Sequence, residues 1–365
     1  MAGSIHAFVR GSTALFYEWL ALSKIPLPTG PALWICGDCH VGNLGPVGDT
    51  HGAIDVEIRD LDQSVIGNPV HDLVRLGLSL STAARSSRLP GATTVEMLEV
   101  LIAGYGAGLT GSADDVGTPD AVMELEDQAL GRTWRKLAKE RLEGDRVEFP
   151  KSKRFDALDK RERRAVEALA RDLPLDVLLG QPSSRVIKSG LLDAAFWRKG
   201  CSSLGLLRYA LLLECDAAGE EPERLVLLDV KEATAPLAPA LPGTAMPQDP
   251  AERVLAGARA LSPFLGHRMF ATRLLDTPVF VRELKPQDLK LDLEQFSRPE
   301  AMRAARYLAF VVGRAHGRQL DGAARGEWAG GVMRDARALI AAIAELLGRH
   351  EAAYLEHCAA LRADH

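Results

Sequence analysis

Apolar positions recur with helical spacing through "HAFVRGSTALFYEWLALS", residues 6–23, and the pattern stops at "KIPLPTGP", where proline and glycine mark a turn. A short apolar run, "ALWIC", then reads as a strand. In "GAIDVEIRDLD", residues 52–62, apolar and polar positions alternate as in a half-buried strand, and "NPVHDLVRLGLSLSTAARSS" opens a helix with Pro69 near its start. Residues 94–110 and about 119–175 carry helical patterns. The second stretch is dense in charge and reads as a solvated helical region with a loop near Pro150, the alternative being a regulatory lid.

After "QPSS", residues 181–184, the pattern changes from helical spacing to strands. "FWRKGCSSLGLLRYALLLEC" and "ERLVLLDVKEA" read as strands joined through "CDAAGEEPE". A loop rich in proline and alanine, residues 235–250, leads to a helix at "PAERVLAGARALS", and "HRMFATRLL" and "TPVFVREL" predict two more strands. From Pro299 the chain is helical again. The pattern therefore predicts an α+β protein in three stretches: a helical 1–180, a β-rich 181–290, and helices over 291–365 that complete the first.

Composition narrows the chemistry. A chain of 365 residues, 47% hydrophobic, buries a large core. With 44 Lys+Arg against 49 Asp+Glu the net charge is −5, so there is no global basic field for a polyanion, and nucleic acid is not expected as a partner. The first residues lack the features of a secretory signal, and no apolar run reaches the length of a bilayer span, so a cytoplasmic protein with no membrane association and no obligate protein partner is expected. Five cysteines in such a chain do not make a disulfide framework.

"WICGDCHVGN", residues 34–43, fits two incompatible patterns. Cys36-Gly-Asp-Cys39-His40 matches the C-x-x-C-H of c-type haem attachment, whereas Asp38, His40 and Asn43 match a phosphotransferase loop. Haem attachment requires export and a second axial ligand that no feature identifies. A thioredoxin motif requires the cysteines at a helix start after a strand. A structural zinc site requires a second pair, which Cys201, Cys215 and Cys358 do not form.

The residues beyond this loop favour phosphotransfer. Asn43 stands five residues after Asp38, and an acidic cluster, "IRDLDQSVIGNPVHDL", arrives after the intervening strand, with Gly67, Pro69 and Asp72 seven, nine and twelve residues beyond Asp60. This resembles the protein-kinase-like superfamily, in particular its aminoglycoside and choline kinase branch, with Cys36 standing where that branch has histidine. The resemblance implies a bilobal protein-kinase-like fold with a small β-rich lobe and a larger helical lobe, using ATP and Mg²⁺. It implies Asp38 as the catalytic base with His40 bracing its loop, Asn43 and Asp60 as metal ligands, and Asp62 as an auxiliary carboxylate. Asp72 is expected to cap or anchor its helix.

A kinase also needs a nucleotide cradle. "KGCSSLG" offers a phosphate-covering turn through Gly200, Ser202, Ser203 and Gly205, with Ser202 in place of the middle glycine of the G-x-G-x-x-G form. Lys231 in "LLDVKEA" stands where a strand lysine reaches phosphate, and Glu252 is its expected helix partner. Kinases place this cradle before the catalytic loop; here it comes after, so the chain looks circularly permuted, which termini and surface connections tolerate. The succession "FVRG", "CGDCHVGNLG", "DLD", "VKEA", "FVREL" and "GRAHGR" resembles the uncharacterised bacterial family designated domain of unknown function two-two-five-two. Arg10 and Arg282 within it either face phosphate or form structural ion pairs. The expected function is transfer of the γ-phosphoryl group of ATP to a hydroxyl of a small molecule. The alternatives are transfer of AMP by the same residues and a catalytically silent nucleotide-binding module.

Overall fold

The computed structural model describes residues 4–112, 116–130, 148–150, 152–180, 188–198, 205–216, 224–285 and 297–363. The first predicted helix is two: α1 (Ile5–Gly11) and α2 (Thr13–Leu22), broken at Ser12. The break has a use, because the carbonyl of Val9 receives the Ser12 hydroxyl at 3.0 Å and the guanidinium of Arg75 at 2.7 Å. Strand β1 (Leu33–Ile35) pairs antiparallel with β4 (Val65–Gly67), and β2 (Leu44–Gly48) with β3 (Ile54–Ile58). These two ribbons present the loops at 36–43 and 59–64.

Helix α3 (Val70–Ser86) starts at Pro69 and is buried along most of its length. It packs beside α4 (Gly91–Thr110), with α5 (Asp120–Leu130) nearby. The C-terminal helices α10 (Arg298–Gly317), α11 (Gly322–Arg334) and α12 (Ala336–Ala363) join this group, so one core draws on residues from Val9 to Leu346. Helices α4 and α10 cross with backbones in contact: a Cβ on Gly104 would lie 2.2 Å from the Arg306 carbonyl, and one on Gly313 2.2 Å from that of Tyr105. Any larger residue at either position forces the helices apart. Among the described residues no helix is long and apolar enough to cross a membrane.

The second layer is a six-stranded antiparallel sheet, ordered β5 (Phe155–Asp156), β6 (Lys188–Trp197), β7 (Arg208–Asp216), β8 (Arg224–Glu232), β10 (Thr277–Glu283), β9 (Met269–Leu274). Strand alternation sorts its residues by face. Tyr209, Leu211, Leu213, Val226, Leu228, Val230, Val279 and Val281 pack on one side with Val166, Leu169 and Leu178 from α6 (Lys160–Arg171) and α7 (Leu175–Leu179). The other face carries Arg208, Asp229, Lys231, Phe280 and Arg282, and there Phe280 packs into the helical core. Helix α8 (Pro250–Leu261), with the short α9 (Pro263–Gly266) after it, packs against β9 and β10.

Residues 155–179 therefore depart from expectation. Instead of a solvated helical extension of the first stretch, they add an edge strand and two helices to the sheet. The capping box of α6, in which Asp159 accepts Glu162 N–H at 2.7 Å and Glu162 accepts Asp159 N–H at 2.8 Å, starts a helix whose Val166 and Leu169 face the strands.

Candidate active site

The loop after β1 is fixed from behind. Asp72, fully buried in the first turn of α3, accepts the backbone N–H of Cys36 at 2.7 Å and of Gly37 at 2.9 Å. Its Oδ2 also meets His316 Nε2 at 3.2 Å, His316 Nδ1 meets the Tyr105 hydroxyl at 2.8 Å, and Trp328 Nε1 donates to that hydroxyl at 3.1 Å. Indole can only donate, so the Tyr105 oxygen accepts there, and when its own O–H turns to Nδ1 the His316 ring presents Nε2–H to Asp72. Asp72 thus anchors more than its own helix: it holds the loop. Gly37 makes this path possible, since its φ is +76° and a Cβ there would lie 2.2 Å from the Gln63 carbonyl.

Asp38 projects from this loop. Its Oδ1 accepts Arg75 Nε at 3.0 Å, and Arg75 is itself fully buried, with its guanidinium 5.0 Å from the Phe16 ring centre. Arg75 is not legible as a site residue in the sequence, yet it is the group that orients the candidate base. The expected brace, His40, is buried, but among the described residues its side chain makes only a long contact, Nε2 to Asp38 Oδ2 at 3.9 Å, and its Nδ1 has no partner. Burial drives its pKa down to about 4, against the pull of Asp38. The bracing expected of His40 falls instead to Asp72, Arg75 and Asn43. Asn43 Nδ2 donates to the Asp38 carbonyl at 2.9 Å, which directs the amide nitrogen inward and leaves Oδ1 as an acceptor.

Asp60 and Asp62 lie just past β3, and Lys231 comes to them from β8. Lys231 Nζ lies 3.8 Å from Asp60 Oδ1 and bonds directly to Asp62 Oδ2. The strand register explains the direction. Lys231 stands opposite Arg208 on β7, a repulsive pair, and Asp229 is already bracketed by Arg208 at 2.6 and 2.8 Å and by Arg282 at 3.0 and 3.2 Å. Lys231 therefore turns to the carboxylates of the facing loop. Burial alone would raise the Asp60 pKa, but Lys231, Arg282 and Arg208 outweigh it and hold the carboxyl ionised, at about 2. For Lys231 burial prevails and its pKa is lowered.

The expected partner of Lys231, Glu252, is not in this cluster. It lies exposed in the first turn of α8, on the helix face turned away from the core. Its neighbour Arg253 points inward, donating to the carbonyls of Asp62 at 2.8 Å, of Thr234 at 2.9 Å and of Ser64. One guanidinium thus ties α8 to the 62–64 loop. Of the predicted phosphate-covering turn, Gly200, Ser202 and Ser203 lie outside the described residues. Gly205 is exposed, with φ +87°, just before β7. Arg282 forms the structural ion pair with Asp229 and also donates to the Arg59 carbonyl at 2.9 Å. Arg10 packs on the loop at Gly42.

Cys36 and Cys39 are buried free thiols. Contact with Cys39 and then burial push the Cys36 thiol well above its ordinary range, which suits packing rather than redox or ligand chemistry. Among the described residues no group of three or more His, Cys, Asp or Glu side chains is placed to hold a metal ion. Two oxygen ligands are available, Asn43 Oδ1 and the ionised Asp60. That is a donor set which Mg²⁺ accepts when substrate phosphates and water complete its shell.

Comparison with curated proteins and with solved structures gave no match. Residues 1–360 match the family described as "Uncharacterized protein conserved in bacteria (DUF2252)", and the chain belongs to that family.

Proposed function

We propose that this protein is an ATP- and Mg²⁺-dependent phosphotransferase that moves a γ-phosphoryl group to a hydroxyl of a small molecule, on a circularly permuted kinase-like fold. The observation that carries the reading is the meeting of Lys231 with Asp60 and Asp62, the last 169 positions away in sequence, beside a loop that presents Asp38 and Asn43. A strand lysine, a metal-binding aspartate, a catalytic-loop aspartate and an asparagine five residues after it are the parts that phosphoryl transfer in protein kinases requires. The sheet order supports it too: a hairpin, the lysine strand, a helix and a second hairpin come one after another in the chain.

In this reading Asp38, oriented by Arg75, accepts the proton of the attacking hydroxyl as its oxygen forms the new bond to phosphorus and the bond to the leaving phosphate breaks. Lys231, kept from Arg208 by charge, faces the phosphates. Mg²⁺, held by Asp60 and Asn43, would neutralise charge that develops on the phosphate oxygens. Asp62 competes for Lys231 and returns it to a paired position between turnovers. A binding module without chemistry has no need of a carboxylate fixed by a buried arginine.

The test is incubation of the purified protein with γ-labelled and α-labelled ATP against a panel of small hydroxyl compounds. Label transferred from γ only supports the reading; label from α only assigns AMP transfer instead. No transfer from either, with Mg-ATP bound, assigns a silent binding module.

A further inference from the structure

Three buried nitrogen atoms around the Asp38 loop have no hydrogen-bond partner among the described residues: the donors Arg10 Nε and Arg75 Nη1, and His40 Nδ1. His40 is 4% exposed and feels both arginines electrostatically. Arg75 is committed to Asp38 and to the Val9 carbonyl through its other nitrogens. Arg10 has neither an ion pair nor a hydrogen bond among the described residues. It lies so close to the loop that a Cβ on Gly42 would sit 3.0 Å from its Cζ. Among the described residues this half-buried arginine is therefore left without the anion that normally offsets a buried guanidinium's charge.

The position of this surplus charge is informative. Lys231, Arg208 and Arg282 belong to the sheet, whereas Arg10 belongs to α1, which packs on α3 in the helical core. In the phosphotransferase reading the sheet holds the nucleotide, and the acceptor enters from the helical side. We propose that Arg10, reinforced by the charge of Arg75, is an anion seat for the acceptor, so that the hydroxyl compound carries an acidic group, carboxylate or phosphate. The inference rests on the phosphotransferase reading and adds the acceptor's class to it. Arginine suits such a group because its planar fork matches two oxygens at once.

The test uses the full chain with Mg²⁺ and a non-hydrolysable ATP analogue at saturation, so that the sheet-side cations are occupied. Inorganic phosphate and then acetate are titrated by calorimetry into the wild type and into Arg10→Gln. The expected result is that at least one anion binds the wild type and binds Arg10→Gln at least tenfold more weakly, while analogue affinity is unchanged. Phosphate binding alone marks a phosphorylated acceptor, and acetate binding alone a carboxylic one. The proposal is overturned if neither anion binds the wild type, if Arg10→Gln binds it equally well, or if the variant loses analogue affinity to the same degree, which would place Arg10 on the nucleotide. Should Arg10→Gln not fold, Arg10→Ala is held to the same criteria. Failure of the underlying reading shows separately, as a wild type that does not bind the analogue.

Discussion

The carboxylate of Asp72 accepts the backbone N–H of Cys36 at 2.7 Å, so the loop that carries Asp38 is held by a helix 36 positions further along the chain. Asp72→Asn replaces one carboxylate oxygen by an amide that donates, leaving either a loop N–H or His316 facing a donor in a buried site. A loss of about 1–3 kcal/mol in urea unfolding is expected from one unsatisfied buried group. Turnover should fall more than nucleotide affinity, because the displaced loop bears Asp38, the proposed base. Stability within about half a kcal/mol of wild type, the spread of neutral surface changes, would show that the bond is dispensable.

Acid should weaken the fold through buried histidine. The pKa of His40 is held at about 4 in the folded protein, first by burial, with Asp38 and Asp60 opposing and Arg75 and Arg10 reinforcing. The unfolded side chain titrates near 6.5, so between about pH 6.5 and 4 the unfolded state binds more protons and stability rises with pH. His40 contributes at most about 3 kcal/mol to that rise, at about 1.36 kcal/mol per pKa unit. His350, also lowered to about 4 by burial, contributes with the same sign. Melting curves across this window should flatten in His40→Gln and flatten further with His350→Gln added. An unchanged slope in the double variant would mean that neither ring is buried neutral.

Nucleotide binding should depend on Asp60 and Lys231 in different ways. A ligand that binds only the folded state stabilises it by RT ln(1 + [L]/Kd), so Mg-ATP should raise the melting temperature of the wild type. Asp60→Ala should remove most of the Mg²⁺-dependent part of that rise. Lys231→Ala should cost turnover more than folding, since Asp60 and Asp62 are partly exposed and water can replace the lysine. Equal rates in Lys231→Ala and wild type would reduce the lysine to a structural ion pair.

The sequence shows some of this site and hides the rest for a physical reason. Strand alternation marks β7, β8 and β10, and the spacing of Asp38, Asn43 and Asp60 marks two loops that the structure brings beside Lys231. Arg75, Arg253 and the Asp72–His316 contact are buried polar pairings between distant segments, 244 positions apart for the last, and no local period records them. Glu252 illustrates the limit. Its helix is legible from the sequence, but which face turns inward is set by packing on β9 and β10, and that packing buries Arg253 instead. The 155–179 segment reads as solvated because its charged face dominates the pattern, while few apolar positions, Val166 and Leu169 among them, decide where it docks.

If Asp38 is the base of a phosphoryl transfer, the release of γ-labelled phosphate from ATP, to water or to an acceptor, separates the wild type from Asp38→Asn. The substitution keeps the size of the side chain and removes its charge, so Mg-ATP should still bind while the rate falls by roughly 10²- to 10⁴-fold. A variant that binds Mg-ATP and turns it over at the wild-type rate would mean that Asp38 is not the base.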